Sequence, residues 1–189
     1  TGGAAADFKV MIMNANMTIG GNLTVTDTSD NTRNTILDLR TKNCDVTGDI
    51  TLTGIDATND FGQINLDSSA GTGLSANDVT MGAGGRIYNT ASGKITASGN
   101  WNFSTTTSSF NRGTSTVTLT GTGNIACYDT LTTFYNLTCA KPGKTTTLSA
   151  GLYLRVYGTL TLGTGTLAGS FTMFFPSYDG NTQKLDVDT

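Results

Sequence analysis

The sequence predicts an all-β chain folded as a β-solenoid, a parallel β-helix-like stack of about five ~37-residue coils with three strands each. Three observations carry this expectation. A five-residue pattern of Gly, polar, apolar, polar, apolar recurs, as in Gly21-Asn22-Leu23-Thr24-Val25, Gly48-Asp49-Ile50-Thr51-Leu52, Gly99-Asn100-Trp101-Asn102-Phe103 and Gly158-Thr159-Leu160-Thr161-Leu162. From Gly48 onward the distances between successive copies cycle as long, long, short, which groups three strands into one unit. The composition is rich in Thr and Gly, contains no Glu and takes all fourteen acids as Asp, a mixture that favours strands and turns over helices.

Taken in order, residues 1–7 read as a flexible lead-in or linker and residues 8–189 as one solenoid domain, with coils starting near 8, 48, 85, 123 and 158. The third and fifth residues of each pattern share one face of a strand. First strands place Val10/Ile12, Ile50/Leu52, Ile87/Asn89, Ile125/Cys127 and Leu160/Leu162 there. Second strands place Leu23/Val25, Ile64/Leu66, Trp101/Phe103, Leu137/Cys139 and Phe171/Met173. Third strands place Leu37/Leu39, Val79/Met81, Val117/Leu119, Leu152/Leu154 and Leu185/Val187. Only Asn89 interrupts the apolar set, and it is expected in the interior, bonded to backbone. Polar connections fall between strands, among them Asp27 to Asn34 and the turn at Pro142-Gly143, while Phe174, Phe175 and Tyr178 are expected to cap one end or touch a partner. A single three-strand unit cannot bury its apolar face alone, whereas stacked units form continuous columns. The stack is expected to end in open strand edges that invite pairing with another chain.

The outward residues of the second strands form a set of their own: Asn22, Thr24, Gln63, Asn65, Asn100, Asn102, Asn136, Thr138, Ser170 and Thr172, all polar and uncharged. On one flat face they would make ladders, either as an ordinary solvated surface or as a docking face for a neighbouring subunit, a glycan or ice. The Thr-x-Thr pairs Thr51/Thr53, Thr116/Thr118 and Thr159/Thr161 fall on different strands of the expected unit, which counts against an ice-binding array. Cys127 and Cys139 share an inward position on consecutive strands, so a disulfide between them and two buried free thiols are both open readings.

Other chemistry is sparse. Net charge −3 and a pI near 4.6 leave no electrostatic footprint for nucleic acid. No apolar run reaches membrane-spanning length. The absence of His removes imidazole metal sites and Ser-His or Cys-His nucleophile pairs, and the Asp residues scatter, so an enzyme is not expected. No cofactor is expected; structural Ca²⁺ has two candidate stretches, Asp27-Thr28-Ser29-Asp30-Asn31 and Asp56-Ala57-Thr58-Asn59-Asp60, neither with the glycine and closing Glu of an EF-hand loop.

At GTSTVTLTGTGN (113–124), TTFYNLTCA (132–140) and YGTLTLGTGTL (157–167) the chain resembles repeat regions of large secreted prokaryotic surface proteins, adhesin-like β-solenoids; GGNLTVT (20–26) and GDITLTG (48–54) are similar to short repeats of phage tail fibres. The resemblance implies an extracellular structural or adhesive role, at a cell or virion surface, and no catalytic residue. The functional expectation is a subunit or segment of a surface filament that associates with itself, with glycan binding through the polar face as the alternative.

Overall fold

The structure, a computed structural model, describes residues 9–28, 34–55, 60–66, 73–90, 92–103, 105–127, 131–149, 152–174 and 184–187. Strands β1–β3 are Lys9–Ile12, Met17–Ile19 and Leu23–Thr26; β4–β6 are Thr35–Asp38, Cys44–Val46 and Ile50–Thr53; β7–β9 are Gly62–Leu66, Gly73–Ala76 and Val79–Met81. Next come β10–β12 (Gly85–Asn89, Lys94–Ala97, Trp101–Phe103), β13–β15 (Ser109–Asn111, Thr116–Leu119, Gly123–Cys127) and β16–β18 (Leu131–Phe134, Asn136–Cys139, Thr145–Leu148). The last are β19–β21 (Leu152–Val156, Thr159–Leu162, Thr166–Ala168), β22 (Phe171–Phe174) and β23 (Lys184–Val187). There is no helix among the described residues.

The fold is an all-β solenoid of parallel sheets with three strands per coil. The first strand of each coil enters sheet A (β1-β4-β7-β10-β13) and, further along the stack, sheet D (β16-β19-β22). Second strands make the eight-stranded sheet B (β2-β5-β8-β11-β14-β17-β20-β23), and third strands the seven-stranded sheet C from β3 to β21. Alternation places every second side chain inside, and in-register pairing turns these into columns. In sheet C, Leu23, Ile50, Val79, Trp101, Ile125 and Leu148 follow one another in register. In sheet B the column is Met17, Cys44, Leu74, Ile95, Val117, Leu137 and Leu160. Sheet A contributes Met11, Leu37, Ile64, Ile87 and Phe110. From Ile50 to Leu148 the sheet C column is at most 1% exposed, and each such aliphatic side chain is worth about 1.5–3 kcal/mol of burial. Asn89 is fully buried in register with Leu66, the interior position expected of it.

The coils are shorter than the ~37 residues expected. Paired residues lie between 19 apart (Leu152 and Phe171) and 30 apart (Cys44 and Leu74). All fifteen strands anticipated from the five-residue pattern exist, but eight more lie between them: β2, β5, β8, β11, β13, β16, β18 and β21. These run to three or four residues, and several pair one large inward residue with a small or polar one, as Leu74 with Ala76, Ile95 with Ala97 and Leu148 with Thr146. Thr146 is tolerated inside because its hydroxyl accepts the Ala140 amide at 3.0 Å. Counting those strands changes the columns: β1 and β10 belong to sheet A, β6 and β15 to sheet C, and β20 to sheet B.

Where sheet A gives way to sheet D, the core changes from aliphatic to aromatic. Trp101 meets Phe110 at 5.2 Å, Phe134 at 5.9 Å and Phe103 at 6.2 Å between ring centroids, and Phe110 meets Phe134 at 6.2 Å. Tilted and edge-on packing of this kind adds about 0.5–1.5 kcal/mol per pair beyond burial.

Cys139 is a buried free thiol on sheet B, and β15, which carries Cys127, runs in sheet C. Burial pushes the Cys139 thiol from 9.0 up to about 11, and burial followed by the nearby Asp45 carboxylate raises that of Cys44. A raised folded-state pKa contributes stability that is intact below the unfolded value and is lost as pH climbs through the folded one. The denaturation midpoint should therefore fall between about pH 9 and 11, and fall less steeply in Cys139→Ala; identical slopes for the two proteins would contradict this assignment.

Candidate interaction surfaces

The ten polar residues expected on one face are divided among four sheets. Thr24 and Asn102 lie on β3 and β12 of sheet C, with Asn22 and Asn100 in the turns just before them. Gln63 and Asn65 lie on β7 of sheet A, Asn136 and Thr138 on β17 of sheet B, and Thr172 on β22 of sheet D, preceded by Ser170. Only the sheet C residues share a surface, and β6 and β9 separate the two pairs. Gln63 is 6% exposed and donates from Nε2 to Oδ1 of Asn65.

Several of these asparagines have a structural task instead. At the corner leading into sheet C, Oδ1 of Asn22 accepts the Asp49 amide at 2.9 Å. Oδ1 of Asp49 accepts the Asp78 amide at 3.2 Å, Oδ1 of Asp78 accepts the Asn100 amide at 2.7 Å, and Oδ1 of Asn100 accepts the Asn124 amide at 2.9 Å. Each side chain thus caps a backbone donor of the next coil, at a corner where no strand carbonyl is aligned with it. The corner leading into sheet B uses the same device: Asn16 accepts from Asn43 at 3.0 Å and Asn43 from Gly73 at 2.8 Å. Asn34 accepts the Phe61 amide at 3.2 Å and Asn136 the Thr159 amide at 2.8 Å. The glycine that opens many copies of the sequence pattern follows from this. A Cβ on Gly48 would collide with Oδ1 of Asn22, and one on Gly99 with Oδ1 of Asp78.

The Thr-x-Thr pairs fall differently from the expectation. Thr116/Thr118 and Thr159/Thr161 both lie on sheet B, with Asn136/Thr138 on the strand between them. Ser75, Thr96, Thr118, Thr138 and Thr161 form one in-register outward column of hydroxyls, each half-exposed.

At the other extreme of polarity lies the β1 end of the stack. Val10, Met11 and Ile12 are 46%, 55% and 41% exposed. Val10 and Met11, with Leu23, Val25 and Leu37, border an open, mainly apolar groove of about 330 Å³. The strands β1, β2 and β3 each form the edge of their sheet.

Of the two Ca²⁺ candidates, residues 29–31 and 56–59 lie outside the described residues, as do Phe175, Tyr178 and the side chain of Phe174. Asp27 and Asp60, which border those stretches, are buried at 5% and 6% exposure. Among the described residues no three metal-ligating side chains cluster, and no helix is long and apolar enough to cross a membrane. No family model, no curated protein and no solved structure matches this chain.

The capping ladder makes a graded forecast for glycine substitution. A Cβ at Gly21 meets nothing within 4 Å, so Gly21→Ala should change stability by no more than about 0.5 kcal/mol. Gly48→Ala and Gly99→Ala displace a cap and should each cost about 1–3 kcal/mol. Equal effects at the three positions in urea titrations would refute the ladder as the reason for glycine.

Proposed function

We propose that this chain is a non-catalytic structural β-solenoid of an extracellular filament or fibre, at a cell or virion surface, that associates with further copies through its strand edges. The observation that carries the reading is the β1 end. There an edge strand with three half-exposed apolar residues, Val10, Met11 and Ile12, borders an apolar groove, and the coil above shows how a further strand would pair in register. Exposed edges of this kind are templates for strand addition, and a head-to-tail contact that does not close on itself generates fibres. The corner ladder supports the same reading, because Asn16 and Asn22 repeat a bond that any additional coil could continue.

A second reading is favoured by the hydroxyl column of sheet B, which offers a neutral, regularly spaced surface to a glycan or to ice. Thr118→Val with Thr138→Val keeps shape and strand preference while removing two hydroxyls. Loss of glycan-array binding or of ice-growth inhibition in that variant would favour the second reading, and an unchanged or absent signal would count against it.

Electron microscopy of the purified protein across a concentration series tests the first reading. Filaments with an axial repeat near eight strand spacings, about 38 Å, are expected. Met11→Lys, which places a charge on the apolar end, should disperse them. Wild-type protein that stays monomeric at high concentration would defeat end-to-end assembly.

A further inference from the structure

We propose that the corner where sheet A gives way to sheet D and the chain turns into sheet B, centred on Arg112, binds the carboxylate of a uronic-acid-containing polysaccharide. Charge is divided unevenly along the chain. Residues 1–78 hold ten Asp against four basic residues, whereas residues 79–174 hold one Asp against six basic residues. Net charge is therefore −6 in the first stretch and +5 in the second, although the whole chain is acidic. Three of the five Arg, at 86, 112 and 155, lie in or beside the first strands β10, β13 and β19 of coils within the basic stretch.

Arg112 is held in a particular way. Its guanidinium carbon lies 3.7 Å from the centroid of the Tyr157 ring, two coils further along the same corner, and 5.8 Å from that of Tyr135, one coil further along. Nη1 donates to the Gly113 carbonyl at 3.0 Å. No carboxylate reaches Arg112 among the described residues. Stacking fixes the plane of the guanidinium and leaves its remaining N–H edge toward a cleft of about 460 Å³ lined by Phe110, Asn111, Thr133 and Tyr157. A planar fork fixed in advance suits bidentate pairing with a carboxylate, and its rotamer entropy is already lost.

The neutral partners in the cleft argue for a sugar acid over a bare anion. Asn111 uses Oδ1 to accept the Gly113 amide at 3.3 Å, which leaves its amide nitrogen for a ligand, and the Thr133 hydroxyl is engaged by no other group among the described residues. Phe110 supplies an apolar floor. Carboxylate, hydroxyls and an apolar ring face on one ligand match Arg112, the Asn111–Thr133 pair and Phe110. Arg155 pairs in register with Thr133 one strand further on, so a linear acidic chain running along the stack would meet a second cation.

Calorimetric titration of the whole chain with trigalacturonic acid tests the assignment. Saturable binding is expected, weakened by added salt. It should be at least about tenfold weaker for neutral galactotriose and for Arg112→Gln, a change equivalent to about 1.4 kcal/mol. Arg112→Lys keeps the charge but neither stacks nor forks, so it should lose most of the affinity as well, while far-ultraviolet circular dichroism reports an unaltered fold. No saturable binding, equal affinity for the neutral sugar, or wild-type affinity in the folded Arg112→Gln variant would overturn the site. Tighter binding of an oligo-aspartate peptide than of the sugar acid would overturn the ligand class.

Discussion

The fold depends on one hydrogen bond repeated from coil to coil: a side-chain oxygen of Asn or Asp accepting a backbone amide of the next coil. Within a strand, every amide finds a carbonyl on the neighbouring strand. At a corner the chain changes direction and that alignment fails, and each side-chain bond made there, exposed or half-buried, contributes about 0.5–1.5 kcal/mol. Asn and Asp carry an acceptor on the shortest side chain able to span the gap, and their tolerance of turn geometry keeps the corner open. The bond carries a steric condition, since the side chain lies where a Cβ of the preceding residue in the next coil would be. Glycine before Asx is therefore a consequence of stacking. Because each coil touches only its neighbours, stability accumulates as a sum of such interfaces.

In-register pairing also frees coil length from strand position. From sheet A to sheet D the distance between partners falls from 27 residues (Thr35 to Gly62) to 19 (Leu152 to Phe171), while the inward residues still form columns. Corners absorb the difference. The core adapts in the same way, with the small Ala97 and the large Trp101 on consecutive strands of one coil, beside the cluster of four rings.

This explains what was legible in the sequence. Solenoid class, three strands per coil and fifteen strands followed from alternation, because Leu, Ile and Val at two-residue spacing announce a buried strand face. Cys44–Val46 and Thr145–Leu148 carry too few large apolar residues to do so, and omitting such strands merged neighbouring coils into longer apparent units. A better marker was present in the corner sequences. Gly21-Asn22, Gly48-Asp49, Asn77-Asp78, Gly99-Asn100 and Gly123-Asn124 stand at the entrance to the same sheet, and four of the five have glycine first. Asn22, Asn100 and Asn136 each give their Oδ1 to an amide of the next coil, a role that polarity in the sequence does not distinguish from an amide facing solvent.

The division of charge along the chain bears on which surfaces act at long range. Alternating acidic and basic stretches invite the idea that electrostatics orders head-to-tail assembly. The distances oppose it. Eight strand spacings amount to about 38 Å, whereas charges in physiological salt are screened beyond about 8 Å. In the proposed head-to-tail assembly, edge pairing and the apolar groove at β1 would act over a few ångströms, and axial charge would contribute little. A local excess of positive charge matters instead to a ligand lying directly on the surface. Such a ligand meets Arg112 held against Tyr157, within one Debye length and with no competing carboxylate beside it among the described residues. The coil-to-coil bonds engage the corner asparagines, so the surface argued to meet an acidic ligand is the cleft beside Arg112 and not the corner ladder.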